Sequence, residues 1–256
     1  MECVLDPMQM TARFAQRRRA LRLKCAVAGA FPISGMFRLK MFLGHFAVAF
    51  AAKRAAPAVS LGTLFLAAQL ADLIWPNLVL LGIERFEVRP GITAVTPLEF
   101  IHYPYSHSLA ALAGWGAALG AGYFMRKRNA AAAAVLFALV LSHWALDVAS
   151  HRADMPLLPG GGERLGLGLW SSVAATLAVE GSFFAGCAVL YVRTTRPIDR
   201  IGRWSLAALL AFLVAVYLAS LFGPAPSSTA EVAWSAQAIW LLVAWGYWID
   251  RHRTGR

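Results

Sequence analysis

Residues 130–150 read AAAAAVLFALVLSHWALDVAS, and this stretch decides the fold class. It is an apolar block of about twenty residues, the length that spans a hydrocarbon core. Alanine and leucine favour helix. Near its far end the block carries His143 and Asp147, one helical turn apart, with His151 one turn further. The spacing i, i+4, i+8 places all three on one helical face.

Other blocks of this length flank it. They are predicted at about Ser60 to Leu81 (broken by Pro76), Ser106 to Met125, Trp170 to Val192, Trp204 to Phe222 and Val232 to Ile249. The 256 residues are 59% hydrophobic and only 14% charged. Soluble domains carry roughly 45–50% apolar and about 25% charged residues. The expected fold is therefore all-α, a polytopic helical membrane protein of six spanning helices. Met41 to Ala52 is apolar but too short to cross squarely, and adds a short N-terminal membrane-inserted helix.

The net charge of +11 invites a nucleic-acid reading. The distribution of the charge argues against direct binding. Basic residues cluster at block ends: Lys53-Arg54, Arg126-Lys127-Arg128, Arg193 to Arg203, and Arg251 to Arg256. The positive-inside rule puts all four places, and so the C-terminus, in the cytoplasm. The loops at about 83–105, 151–169 and 223–231 then lie outside. A multi-pass protein of a bacterial inner membrane is expected, with membrane lipid as its partner. Residues 1–40 are read as a basic N-terminal extension, with Met41 as an alternative start, and 41–256 as the helical membrane domain. Cys3, Cys25 and Cys187 have no metal or redox spacing, so no disulfide framework is expected.

Ionisable groups inside a membrane are costly and point to function. His143-x-x-x-Asp147 can hold one divalent ion between an imidazole and a carboxylate. Taken alone, the same pair could simply stabilise a wet helix end. The segment His102-Tyr-Pro-Tyr-Ser-His107 adds two histidines. Pro104 there makes Ser106 the expected helix N-cap. Asp72 precedes Pro76 in a span, and His45 lies in the short N-terminal helix. Depth joins them. At the helical rise, Asp72 is roughly 18 Å, His143 roughly 20 Å and Asp147 roughly 26 Å from the cytoplasmic starts of their helices. His45 and His107 fall in the same outer layer. Histidine and aspartate without cysteine suit zinc, manganese or iron. Glu180, deep in the fourth span, reads equally as a partner of a ligand histidine and as a contact to another helix. The loop Pro159-Gly-Gly-Gly-Glu163 lacks the preceding strand that a phosphate-cradling loop needs.

At these residues the chain resembles a known family. Gly44-His45, Asp72, Ser106-His107-Ser108-Leu109 and His143-x-x-x-Asp147 look like the pattern of the bacterial membrane-bound metal-dependent hydrolases, also described as inner-membrane-associated, LexA-binding hydrolases. The motifs cover about residues 41 to 151. The family is thought to be distantly similar to zinc phospholipase C and related nucleases, which implies phosphoester hydrolysis. The resemblance makes His45, Asp72, His107, His143 and Asp147 the metal ligands, zinc first and manganese as the alternative. His102 and His151 have weaker standing. Apart from the resemblance, Asp72 or Asp147, where it is not a ligand, can accept the proton in a metal-assisted hydrolysis. A second histidine in the first helix is missing, so one or two ions are implied rather than three. A metal-ion or proton transporter, and a non-catalytic membrane partner protein, are the competing expectations.

Overall fold

The computed structural model describes residues 43–255. The basic segment 1–40 and the alternative start at Met41 lie outside the described residues. The chain is mostly helical. Helix α1 is Leu43–Ala55, α2 Leu61–Ala68 and α3 Leu70–Leu80. An antiparallel hairpin of β1 (Arg85–Val88) and β2 (Leu98–His102) follows. Next come the one-turn helix α4 (Pro104–His107), α5 (Leu109–Lys127) and α6 (Ala130–Ser150). A two-residue ladder pairs β3 (Met155–Pro156) with β4 (Arg164–Leu165). Helices α7 (Val173–Thr194) and α8 (Arg200–Phe222) flank strand β5 (Thr195–Pro197). Helices α9 (Thr229–Ala236) and α10 (Ile239–Arg251) precede β6 (Arg253–Gly255), which pairs with β5.

Four helical segments among the described residues are long and apolar enough to cross a membrane: α6, α7, α8, and α9–α10 taken together. The bent pair α2–α3 makes a fifth if it is one span. Helix α5 has 19 residues, but its four glycines dilute its apolarity. Val179, Phe183, Val189 and Val192 on α7 are exposed, as are Val214, Leu218 and Phe222 on α8. An apolar surface of this extent fits lipid, not water.

The hairpin α5–α6 follows from local rules. Arg128, in the left-handed region at φ 53°, ends α5. The Asn129 side chain caps α6 by accepting from the Ala132 amide at 3.0 Å. A Cβ on Gly120 would sit 3.1 Å from the Ala133 carbonyl, so glycine is what lets the two helices close. Small residues at such contacts are the rule in membrane helix pairs.

Helix α1 is buried nearly all round, and packs against α7, α2 and α6. The short helix expected at Met41 to Ala52 is thus enclosed by other helices. Phe46 and Phe50 meet Phe65 edge-on at 5.0 and 5.2 Å, and Phe50 meets Tyr191 at 5.2 Å. At its C-terminal end, Lys53 is not a solvated anchor. Its Nζ donates to the Val59 carbonyl and to Asp250, each at 2.8 Å. Breaking a buried ion pair from one side costs several kcal/mol, whereas replacing both partners with apolar residues is often neutral. Lys53→Met is therefore expected to destabilise the protein by about 3 kcal/mol. The double variant with Asp250→Leu should recover most of that loss, as read by thermal melting in detergent.

Two sequence expectations need correction. The first span is not broken at Pro76, which lies inside α3. The break is at Gln69, where the axis turns by 54°. The bend goes with a change of neighbours: α2 packs chiefly on α10, and α3 chiefly on α9. The second correction concerns the cap. Pro104 is well placed in a first helical turn, and it starts α4 at once. The long helix starts at Leu109 with Ser108, not Ser106, as its N-cap.

Candidate metal centre

Four helices deliver the candidate donors. His45 comes from α1, Asp72 from the first turn of α3, His107 from the end of α4, and His143 and Asp147 from one face of α6. The structure brings all five together. The Asp147 carboxylate is gripped from both sides: Oδ1 lies 3.2 Å from His45 Nε2, and Oδ2 lies 3.2 Å from His143 Nε2. The two imidazoles stack in parallel with ring centres 3.7 Å apart. His107 Nε2 lies 3.5 Å from Asp72 Oδ1 and 3.9 Å from Asp147 Oδ2. His143 Nε2 lies 3.8 Å from Asp72 Oδ1. Ligand atoms about 2.1 Å from one ion are separated by roughly 3.0–4.2 Å. Two groups, His45–His143–Asp147 and Asp72–His107–His143, could each hold a metal ion, and they share His143.

The orientation of each ring is set from outside the cluster. His143 Nδ1 lies 2.8 Å from the Ala68 carbonyl. A carbonyl only accepts, so Nδ1 carries the proton and Nε2 presents a lone pair. That carbonyl is at the last residue of α2, beside the break at Gln69. His107 Nδ1 lies 2.7 Å from Ser106 Oγ. Ser106 spends its hydroxyl proton on Glu84 Oε2 at 2.5 Å, so it accepts from His107. His107 Nε2 is thereby also left with a lone pair toward the centre.

The centre is polar and unbalanced. His143 Nε2 and Asp147 Oδ2 are buried and have no hydrogen-bond partner. They face each other at 3.2 Å, lone pair against lone pair where His143 is neutral. Buried polar atoms in proteins are normally satisfied, and each exception needs a reason. Asp147 and the three histidines are buried, whereas the Asp72 side chain is 29% exposed. Asp72 is the donor that opens the cluster to its surroundings.

The weaker candidates lie elsewhere. His102 is exposed at the end of β2, with its ring against Tyr105. His151 pairs with Asp154 at 3.0 Å between Phe100 and Trp170, and its amide closes α6 on the Asp147 carbonyl. Tyr103 donates to the Asp154 carbonyl at 2.8 Å. Burial first, and then the Asp154 carboxylate, hold its phenol far above the ordinary value. Glu180 accepts from the Trp170 indole at 3.3 Å and joins neither donor group.

Sequence reasoning missed three supports: the Ala68 carbonyl, Ser106 as an acceptor, and Glu84. Only Ser106, adjacent to His107, carried a readable signal. Comparison of the chain with protein-family models, with curated proteins and with solved structures finds no significant match.

Proposed function

We propose that this protein is a membrane-embedded metal-dependent hydrolase whose five converging residues hold a divalent ion, zinc first. The observation that carries the reading is the orphaned pair of His143 Nε2 and Asp147 Oδ2. Two aspartates and a set of imidazole lone pairs need positive charge between them. A divalent cation supplies it, and the two carboxylates neutralise that cation. Because Nδ1 of His143 is committed to Ala68, His143 has one lone pair to give. It cannot bridge two ions, which favours a single ion for the shared set.

When bound, such an ion polarises a phosphoryl oxygen and lowers the pKa of a water. The chain's own residues do the rest. His45, His143 and Asp147 form the closed side of the site, so reactants approach from the side of Asp72. Where Asp72 does not itself ligate the ion, it is positioned to take the proton of the attacking water. A site enclosed in a helical bundle, opening through one partly exposed acid, suits a phosphoester of a lipid or lipid-linked substrate.

The same reading includes the six-span topology, with α2–α3 and α5 counted as spans. Helix α5 would extend roughly 28 Å. The Lys53–Asp250 pair and the β5–β6 ladder gather the basic ends at one end of the bundle, in keeping with a cytoplasmic C-terminus in a bacterial inner membrane. The resemblance to the membrane-bound metal-dependent hydrolases supports the chemistry through the five ligand positions alone. A transit site for ions would need a polar path onward. The core toward the basic end is instead filled by Phe46, Phe50, Phe65, Phe184 and Tyr191.

The test is metal analysis of the purified protein, followed by assays on lipid and lipid-linked phosphoesters. Stoichiometric zinc or manganese is expected, with turnover that chelation removes and added metal restores. Asp72→Asn should cost about 100-fold or more in turnover. Protein that carries and takes up no divalent metal would end the reading, and ion flux in liposomes without turnover would replace it with a transporter.

A further inference from the structure

We infer that Glu84 is a positioning residue that decides which nitrogen of His107 carries the proton, and so whether Nε2 faces the metal centre as a ligand or as a donor. This rests on the metal-site reading above. Glu84 lies between α3 and β1, away from the donor cluster in sequence, and it is buried. Its Oε1 accepts the amides of Tyr105 and Ser106, at 2.8 and 2.9 Å. These are exposed-end amides of α4, which a carboxylate satisfies well. Its Oε2 accepts the Ser106 hydroxyl at 2.5 Å. The single hydroxyl proton of Ser106 can point one way only. Pointed at Glu84, it leaves the Ser106 oxygen as an acceptor for His107 Nδ1–H. The relay of carboxylate, hydroxyl and imidazole thus ends in a lone pair on His107 Nε2, aimed at Asp72 and Asp147.

The direction of this relay is reversible. A glutamine at position 84 can still accept the two amides through its oxygen, but its NH2 must then donate to Ser106. Ser106 would turn its proton onto His107 Nδ1, and the proton of the imidazole would move to Nε2. A donor, not a ligand, would then face the centre. Groups that orient a metal-bound histidine in this way typically contribute 10- to 100-fold in metal affinity.

The experiment compares the full chain in detergent with Glu84→Gln and Ser106→Ala. Zinc affinity is measured by chelator competition, and the His107 tautomer by long-range proton–nitrogen NMR on histidine-labelled, zinc-free protein. The wild type is expected to show Nδ1–H at His107. Glu84→Gln should show Nε2–H and zinc binding weaker by about 10- to 100-fold. Ser106→Ala, which cuts the relay without reversing it, should also weaken zinc, and the double variant should be no worse than the weaker single one. If Glu84→Gln does not fold, Ser106→Ala decides. Wild-type protein that binds zinc, with variants that bind it equally and an unchanged His107 tautomer, overturns the inference alone. Wild-type protein that binds no zinc overturns the metal reading and this inference with it.

Discussion

Protein carrying His143→Ala together with Asp147→Ala is expected to purify without its metal and without hydrolytic activity. Asp147 is the hub of the cluster. One of its oxygens faces His45, and the other faces both His143 and His107. Removing it with His143 takes away the shared member of both donor groups. What remains is His45 on one side, and Asp72 with His107 on the other. A tight site needs about three protein ligands converging on one ion. The expected result is a fall from about one metal per chain to background in elemental analysis, since even a partial site loses orders of magnitude in affinity. The fold should survive, because the deletion also removes the opposed lone pairs. Circular dichroism of the double variant therefore checks that metal loss is not unfolding. Retention of full metal occupancy would show that the cluster is not where the ion sits.

The second large effect is expected far from the donors. Gly62 in α2 meets α10 at backbone distance. A Cβ on Gly62 would collide with the ring and amide of Tyr247, and one on Gly246 would lie 3.0 Å from Gly62 Cα. Neither helix can yield a backbone atom as a flexible side chain would. Gly62→Val should therefore force α2 and α10 apart. The expected cost is about 3 kcal/mol, at the upper end of overpacking, and it should appear as a lowered melting temperature. Gly186→Ala is the control, since nothing lies within 4 Å of a Cβ there. Gly62→Val should also weaken metal binding, because α2 ends in the carbonyl that orients His143. A variant that melts lower yet binds zinc as before would uncouple the two.

The legible features of the sequence were those written locally. The helix predicted over 130–150 has those same ends, because an alanine run with Asn129 before it states its own start. The common layer of His45, Asp72, His107, His143 and Asp147 followed from depth, since helical rise converts position into height, whereas their lateral convergence depends on helix packing that height does not give. The break in the first span was misplaced for an instructive reason. The backbone cost of Pro76 is visible in the sequence, whereas the bend at Gln69 goes with the neighbours that α2 and α3 pack against. The central place of helix α1 was not legible because composition does not separate an apolar face turned to lipid from one turned to protein. Glu84 was unreadable because a buried acid after a span resembles any polar loop residue until Ser106 is folded against it.

The break at Gln69 has a consequence for the order of assembly during synthesis. Every donor lies between residues 45 and 147, so the ligand-bearing helices leave the ribosome before α7 to α10. The bend that presents the Ala68 carbonyl to His143 packs against α9 and α10, which are made after every donor. Until they arrive, α2 and α3 lack the two neighbours toward which they diverge, although α1 and α6 already pack on α2. If the proposed site takes up a metal, capture is expected to follow the docking of α9 and α10, so that a chain cut before α9 should bind it more weakly.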